Sequence, residues 1–155
     1  MEGEHAMPKK PCPFCVINPR KNWILAEGRE VVVFLSNPRL MRGHTIIIPR
    51  RHVATLAELT ESERNELFAT GIRFQEKIKA ALSELWGVRV GCDFSQHDRS
   101  FMTPSRVSVP GHLHLHLRPR TKEDELYLRV QTYETPMFKH PPTREKRKFQ
   151  ALLAE

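Results

Sequence analysis

Residues 112–117 alternate histidine and leucine three times, within the stretch HLHLHLRPR (112–120). Strict alternation fits a β-strand, whose successive side chains point to opposite faces. His112, His114 and His116 then share one face, and Leu113, Leu115 and Leu117 share the other. The leucine face demands an apolar partner layer. The histidine face lines a groove with side chains about 7 Å apart. A merely solvated face could use Thr, Ser, Lys or Glu, yet three of the chain's eight histidines stand here. Imidazole titrates near neutrality, so the row points to metal ligation or to acid–base and nucleophilic work.

The rest of the chain supplies the partner layer. WILAEGREVVVFL (23–35) reads as two short strands turning at Glu27-Gly28, and Thr45 to Ile48 as a third, stopped by Pro49. Thr60 and Glu63 form a capping box. Leu67, Gly71, Phe74, Ile78, Leu82 and Leu85 follow at helical steps, with Gly71 small enough for close packing, and Trp86-Gly87 ends the helix. Residues 88–94 read as a fourth strand, 95–111 as a loop and 112–118 as a fifth strand closed by Pro119. A last short helix is expected over 143–154. The predicted class is α+β: a mainly antiparallel five-stranded sheet, one long helix packed on it and a short C-terminal helix.

At 155 residues the chain has room for one domain. Residues 1–10 read as a flexible N-terminal segment, 11–122 as the domain and 123–155 as a C-terminal extension packing on it. No apolar run approaches the roughly 18 residues of a membrane span. No secretory-type leader opens the sequence. A cytoplasmic protein with no membrane partner is expected. Net charge is +7, and residues 139–148 hold five Lys or Arg against one Glu. Such a run reads first as solvated surface and second as attraction for a phosphate-rich ligand. Too few aromatics accompany the charge for a base-stacking platform, so nucleic acid is not the expected partner.

Three cysteines, Cys12, Cys15 and Cys92, do not make a disulfide framework. Cys92 lies in an apolar stretch and reads as an inert thiol. CPFC sets Cys12 and Cys15 in a zinc-type knuckle, with redox use as the rival reading. No βαβ pattern surrounds it, which favours metal. His52 and His112 can complete a Cys2His2 set.

HLHLHLRPR is similar to the His-φ-His-φ-His-φ-φ signature of the histidine triad superfamily, where φ is apolar. GHTIIIPRRH (43–52) resembles its GH, apolar strand, P-x-x-H segment, and VVVFLSNP (31–38) its strand and turn before that. CPFC sits where many bacterial members carry C-x-x-C. The resemblance implies a nucleotide-binding α+β protein, mostly homodimeric, that cleaves at an α-phosphate through a covalent nucleotidyl-histidine. It implies His114 as nucleophile, His116 as a phosphate ligand and His44 as a further histidine beside the triad. It also implies a structural zinc on Cys12, Cys15, His52 and His112.

The sequence departs from the pattern before the triad. The loop 93–112 lacks the usual Asn-x-Gly and Gly-Gln, and Ser108 falls where the glutamine stands. Ser36 replaces a ribose-binding acid, beside Asn37. His97 and Arg99 are candidates for reading the leaving group. A histidine rather than glutamine at 116 favours hydrolases over transferases, with dinucleoside polyphosphates or nucleoside phosphoramidates as the substrate class. The rival functions are a non-catalytic nucleotide sensor and a zinc-knuckle RNA-binding protein.

Overall fold

Val31-Val32-Val33 and Ile46-Ile47-Ile48 show no alternation, and the fold explains why: both runs are buried on both faces. The structure, a computed structural model, describes residues 12–97, 111–137 and 139–154. The chain divides into two units, residues 1–120 and 121–155. In the first, strands β1 (Ile24–Glu27), β2 (Val31–Leu35), β3 (Thr45–Pro49), β4 (Gly91–Gln96) and β5 (Leu115–Arg120) form one antiparallel sheet. The order across it is β1-β2-β3-β5-β4. Helix α1 (Glu61–Trp86) covers one face.

Val31, Val33, Ile47, Leu113, Leu115 and Leu117 form a core with Leu67 and Phe74 of α1. The leucines of the alternating stretch are therefore buried against the helix, as expected. On the opposite face Val32, Phe34, Ile46 and Ile48 cluster, with Phe14 and Ile17 packed over them. The histidines belong to this second face.

The capping box is present: Glu63 N–H donates to Thr60 Oγ1 (3.2 Å) and Thr60 N–H to Glu63 Oε2 (2.8 Å). Arg51 adds two bonds to the same carboxylate (2.7 and 2.8 Å). These charges hold the Glu63 carboxyl down at about 2, Arg51 contributing most. Gly87, in the left-handed region (φ 66°), closes the helix. Gly71 is packed against the Phe94 ring so closely that a Cβ would overlap it. Leu85 departs from the expected stripe and is exposed.

Several boundaries differ from expectation. Pro119 does not close β5 but lies within it, opposite Cys92. Beyond the Thr45–Leu117 pair β5 is flanked by β4 alone, which is where a strand tolerates a proline. Regular pairing of β5 starts at Leu115, after the first two histidines. β4 runs to Gln96, so the loop after it begins later. Pro49 completes β3 rather than ending it.

Among its described residues the second unit holds the α-helices α2 (Glu125–Glu134) and α3 (Thr143–Leu153), with a 3-10 turn at Thr135–Met137. The last matches expectation; α2 does not appear in the sequence reading. Its start is marked by Asp124, whose carboxylate accepts from Thr121 N–H (3.0 Å) and Tyr127 N–H (2.6 Å). Among the described residues no helix is long and apolar enough to cross a membrane.

Candidate functional site

Two linked clusters occupy the sheet face opposite α1. The first gathers Cys12, Cys15, His52 and His112, whose ligand atoms all lie within 4.8 Å of one another. A tight turn builds the knuckle: Cys15 N–H and Val16 N–H both donate to Cys12 O (3.0 and 3.4 Å). Two backbone ties bring the histidines to it. Leu113 N–H donates to Val53 O (2.7 Å), and His112 Nε2–H donates to Pro49 O (3.0 Å). That bond leaves Nδ1 of His112 as the lone-pair nitrogen. It faces Cys12 Sγ at 3.3 Å and Cys15 Sγ at 3.6 Å. Nδ1 of His52 is 3.1 Å from Cys15 Sγ.

These separations pass a simple test. Tetrahedral zinc bonds sulfur at about 2.3 Å and nitrogen at about 2.0 Å, which puts S and N ligands about 3.5 Å apart. The four side chains therefore fit a metal of tetrahedral preference. Burial keeps His112 below the ordinary histidine value, in the neutral form that a ligand needs. Cys15 lies above its ordinary value, through desolvation and then the neighbouring Cys12 sulfur.

The second cluster is His114, His116, His44 and His97. Backbone groups fix its tautomers. Leu40 N–H donates to Nδ1 of His44 (3.2 Å), so the His44 proton sits on Nε2. That Nε2–H donates to Nδ1 of His116 (2.9 Å), which puts the His116 proton on Nε2. Burial above all, then the His114 and Arg118 charges, drives His116 down to about 2. Burial followed by Arg118 lowers His44 to about 4. Both rings are neutral at pH 7. In neutral His114 the Nδ1–H donates to His112 O (2.8 Å), so Nε2 carries the lone pair. The His114 and His116 ring centres are 4.7 Å apart.

Phe14 joins the clusters. It lies between the two cysteines, with its ring 5.7 Å from His112, 5.3 Å from His114 and 5.7 Å from Phe34. Sequence reasoning passed over it, although its place inside CPFC was the available signal. Arg118 was also missed. It follows His116 by two residues and so stands on the histidine face, with Nη2 at 3.0 Å and 3.3 Å from the two ring nitrogens of His97.

The remaining candidates are placed as follows. Ser36 N–H donates to His44 O (2.8 Å), which sets Ser36 beside His44 at the start of β3, but its hydroxyl donates to Pro38 O (2.8 Å). Asn37 Nδ2 donates to Lys21 O (3.5 Å). These side-chain bonds close the loop locally. Ser108, Arg99 and residues 1–10 lie outside the described residues. Cys92 is half-buried, and burial raises its thiol to about 11, consistent with an inert group.

The chain is similar to an asymmetrical bis(5'-nucleosyl)-tetraphosphatase of Schizosaccharomyces pombe, 33% identical over 94 residues, covering 59% of this chain and 45% of that protein. It is 29% identical over 107 residues to an AP-4-A phosphorylase of Mycobacterium tuberculosis, covering 69% and 51%. The chain thus spans about half the length of the curated relatives it matches. Among solved structures it resembles a Streptococcus mutans protein (26% identity, TM-score 0.63, 95% of this chain and 83% of that one). It shares its fold with a zinc-bound histidine triad protein of Mycobacterium smegmatis (24% identity, TM-score 0.54, 93% and 94%). The HIT domain model matches residues 19–123, well over half the chain and the whole histidine strand, and the protein belongs to the HIT domain family.

Proposed function

We propose that the protein is a nucleotide hydrolase that cleaves at the α-phosphate of a dinucleoside polyphosphate or nucleoside phosphoramidate, through a covalent nucleotidyl-histidine. One observation carries the reading: Nε2 of His114 bears a lone pair, because its Nδ1–H is tied to the His112 carbonyl. The names of the Schizosaccharomyces pombe and Mycobacterium tuberculosis relatives support the substrate class.

In the proposed step the His114 Nε2 lone pair forms an N–P bond while the bond from phosphorus to the leaving group breaks. The leaving group departs with that electron pair and takes a proton from water. A second water then adds at phosphorus, breaks the N–P bond and restores neutral His114. One difficult displacement becomes two easier ones. The His116 Nε2–H, the donor that this tautomer leaves, is assigned to a non-bridging oxygen on which charge develops. His44 holds His116 in that tautomer. Ser36 and Asn37 are assigned to the ribose side, and Ser108 to a phosphate oxygen.

Zinc is the metal we assign to Cys12, Cys15, His52 and His112. Four protein ligands leave no open position, so its contribution is to hold the knuckle and the start of the histidine strand. A thiolate-bearing site suits the reducing cytoplasm. The working form is assigned as a homodimer with the two-fold near α1 or the edge strand β4. Light scattering showing a monomer at micromolar concentration removes that assignment.

The function is tested by incubating the protein with a panel of nucleotide conjugates and identifying products by mass. A nucleoside monophosphate released with a nucleotidyl adduct on the 112–116 peptide is the expected result. Tight binding without turnover of any conjugate would leave a nucleotide sensor. Salt-dependent RNA affinity without nucleotide binding would leave a zinc-knuckle RNA-binding protein.

A further inference from the structure

The two histidines of the Cys2His2 cluster are held in different ways. His112 is buried, and its Nε2–H is tied to Pro49 O (3.0 Å), which fixes the ring. His52 is exposed, and among the described residues its Nε2 has no hydrogen-bond partner. Its ring stands edge-on to that of His112, with centres 5.0 Å apart, and its Nδ1 meets Cys15 Sγ. A ligand without an outer hydrogen bond depends on its backbone for its position.

That backbone is anchored on both sides. Before His52, Arg50 N–H donates to Glu30 O (2.8 Å); after it, Val53 O accepts from Leu113 N–H (2.7 Å). Between these ties neither Arg51 nor His52 makes a main-chain hydrogen bond among the described residues. The Arg51 side chain spans the gap. Its Nε and Nη2 donate to the two oxygens of Glu63 (2.8 and 2.7 Å), and Nη2 also donates to Glu58 O (2.7 Å). Glu63 is buried and fixed by the capping box at the start of α1. Glu58 is fixed in turn, because its carboxylate accepts from Thr55 N–H (3.1 Å) and Thr55 Oγ1 (2.8 Å). A fork of donors on a rigid carboxylate sets both place and direction, which the single ammonium of a lysine does not.

We infer that Arg51 is a positioning residue for the metal ligand His52: clamped to Glu63 and to Glu58 O, it holds the exposed histidine against the Cys12–Cys15 knuckle, where a tetrahedral ion needs it. The inference rests on the metal assignment made above. It makes the start of α1 and the metal site one mechanical unit. Release of the clamp frees His52, while the knuckle keeps its turn and His112 its bond to Pro49. Three protein ligands then remain, with a fourth position open to water.

Zinc and cobalt(II) titrations of the full chain, in competition with a chromogenic chelator, test the idea, because the visible bands of cobalt(II) report which atoms complete its coordination shell. In Arg51→Met, zinc affinity should fall about tenfold, the scale on which outer-shell partners act, and the cobalt bands should move towards those of His52→Ala. Arg51→Lys should fall between. In a His52→Ala background the same Arg51→Met change should leave zinc affinity within about twofold, whereas an arginine that only stabilises the fold would cost the same in both backgrounds. Glu63→Gln keeps the capping box but loses the charge of the clamp, and should show the same pattern if Arg51→Met does not fold. Unchanged zinc affinity, unchanged cobalt bands, or an equal loss with and without His52 overturns the positioning role and leaves the metal assignment standing. A wild-type chain that takes up neither ion overturns the metal assignment, and the inference with it.

Discussion

His44 donates from Nε2 to Nδ1 of His116 across 2.9 Å, and the direction of that bond is dictated by the backbone N–H of Leu40 behind it. A chain of two neutral imidazoles thus delivers a donor, the His116 Nε2–H, beside the acceptor nitrogen of His114. The two rings lie 4.7 Å apart between centres, one carrying a donor Nε2–H and the other, when neutral, a lone pair on Nε2.

His114→Ala is expected to abolish turnover. Nucleotide binding should stay within about tenfold, or about 1.4 kcal/mol, because the lost interaction belongs mainly to the transition state. Rapid quench followed by mass spectrometry should find the nucleotidyl adduct in wild type and none in the variant. Turnover near the wild-type rate in His114→Ala would sink the assignment.

Elemental analysis of protein purified without chelator should find about one zinc per chain, and Cys12→Ser or His112→Ala should lose it. Metal loss should lower the thermal midpoint by roughly 5–10 °C, since ligand and folding energies are linked. A full fold with free thiols and no metal at either cysteine would contradict the site.

Acid should destabilise the protein before its carboxylates titrate. His44 is lowered by burial and Arg118 to about 4, against an unfolded value near 6.5. Above 6.5 neither state holds the proton. Below it the unfolded chain binds one and the folded chain does not, so stability falls with pH down to about 4. The slope is about 1.4 kcal/mol per pH unit for this ring. His116, lowered to about 2, adds a loss of the same sign over the same window. Urea midpoints measured from pH 7 to 4.5 should therefore decline, and less steeply in His44→Gln. Parallel slopes in the two proteins would refute the linkage.

Gly71→Ala ought to destabilise, although alanine favours a helix by about 1 kcal/mol. The new methyl would meet Phe94, which is itself stacked on Phe68 at 5.9 Å. Overpacking of about 1–3 kcal/mol should exceed the propensity gain and leave a net loss of about 1 kcal/mol. A higher denaturation midpoint for the variant would show that the ring moves aside freely.

Much of this was legible because local chemistry agreed with the global fold. Thr60 and Glu63 announced α1, and alternation in 112–117 announced which face holds leucine and which histidine. The cluster that could hold a metal was readable because few side chains can serve, and Cys12, Cys15, His52 and His112 include two of the three cysteines. Pro119 misled because a proline ends a strand only when its neighbours need the missing N–H. Helix α2 was missed because its ten residues carry no broad apolar stripe, leaving Asp124 as the sole local marker. Phe14 and Arg118 were passed over for another reason: their partners lie about a hundred and about twenty residues away, and only their places beside Cys12, Cys15 and His116 hinted at them.

The alternation of leucine and histidine also polices strand register. A slip of residues 112–117 by one position would turn three imidazoles towards Leu67 and Phe74 and three leucines into the groove. The misaligned chain would bury unpaired polar rings and expose its best apolar side chains. It would also separate His112 from Pro49 and from both sulfurs. The same six residues thus guard the register of the strand and fix the face on which the histidines stand.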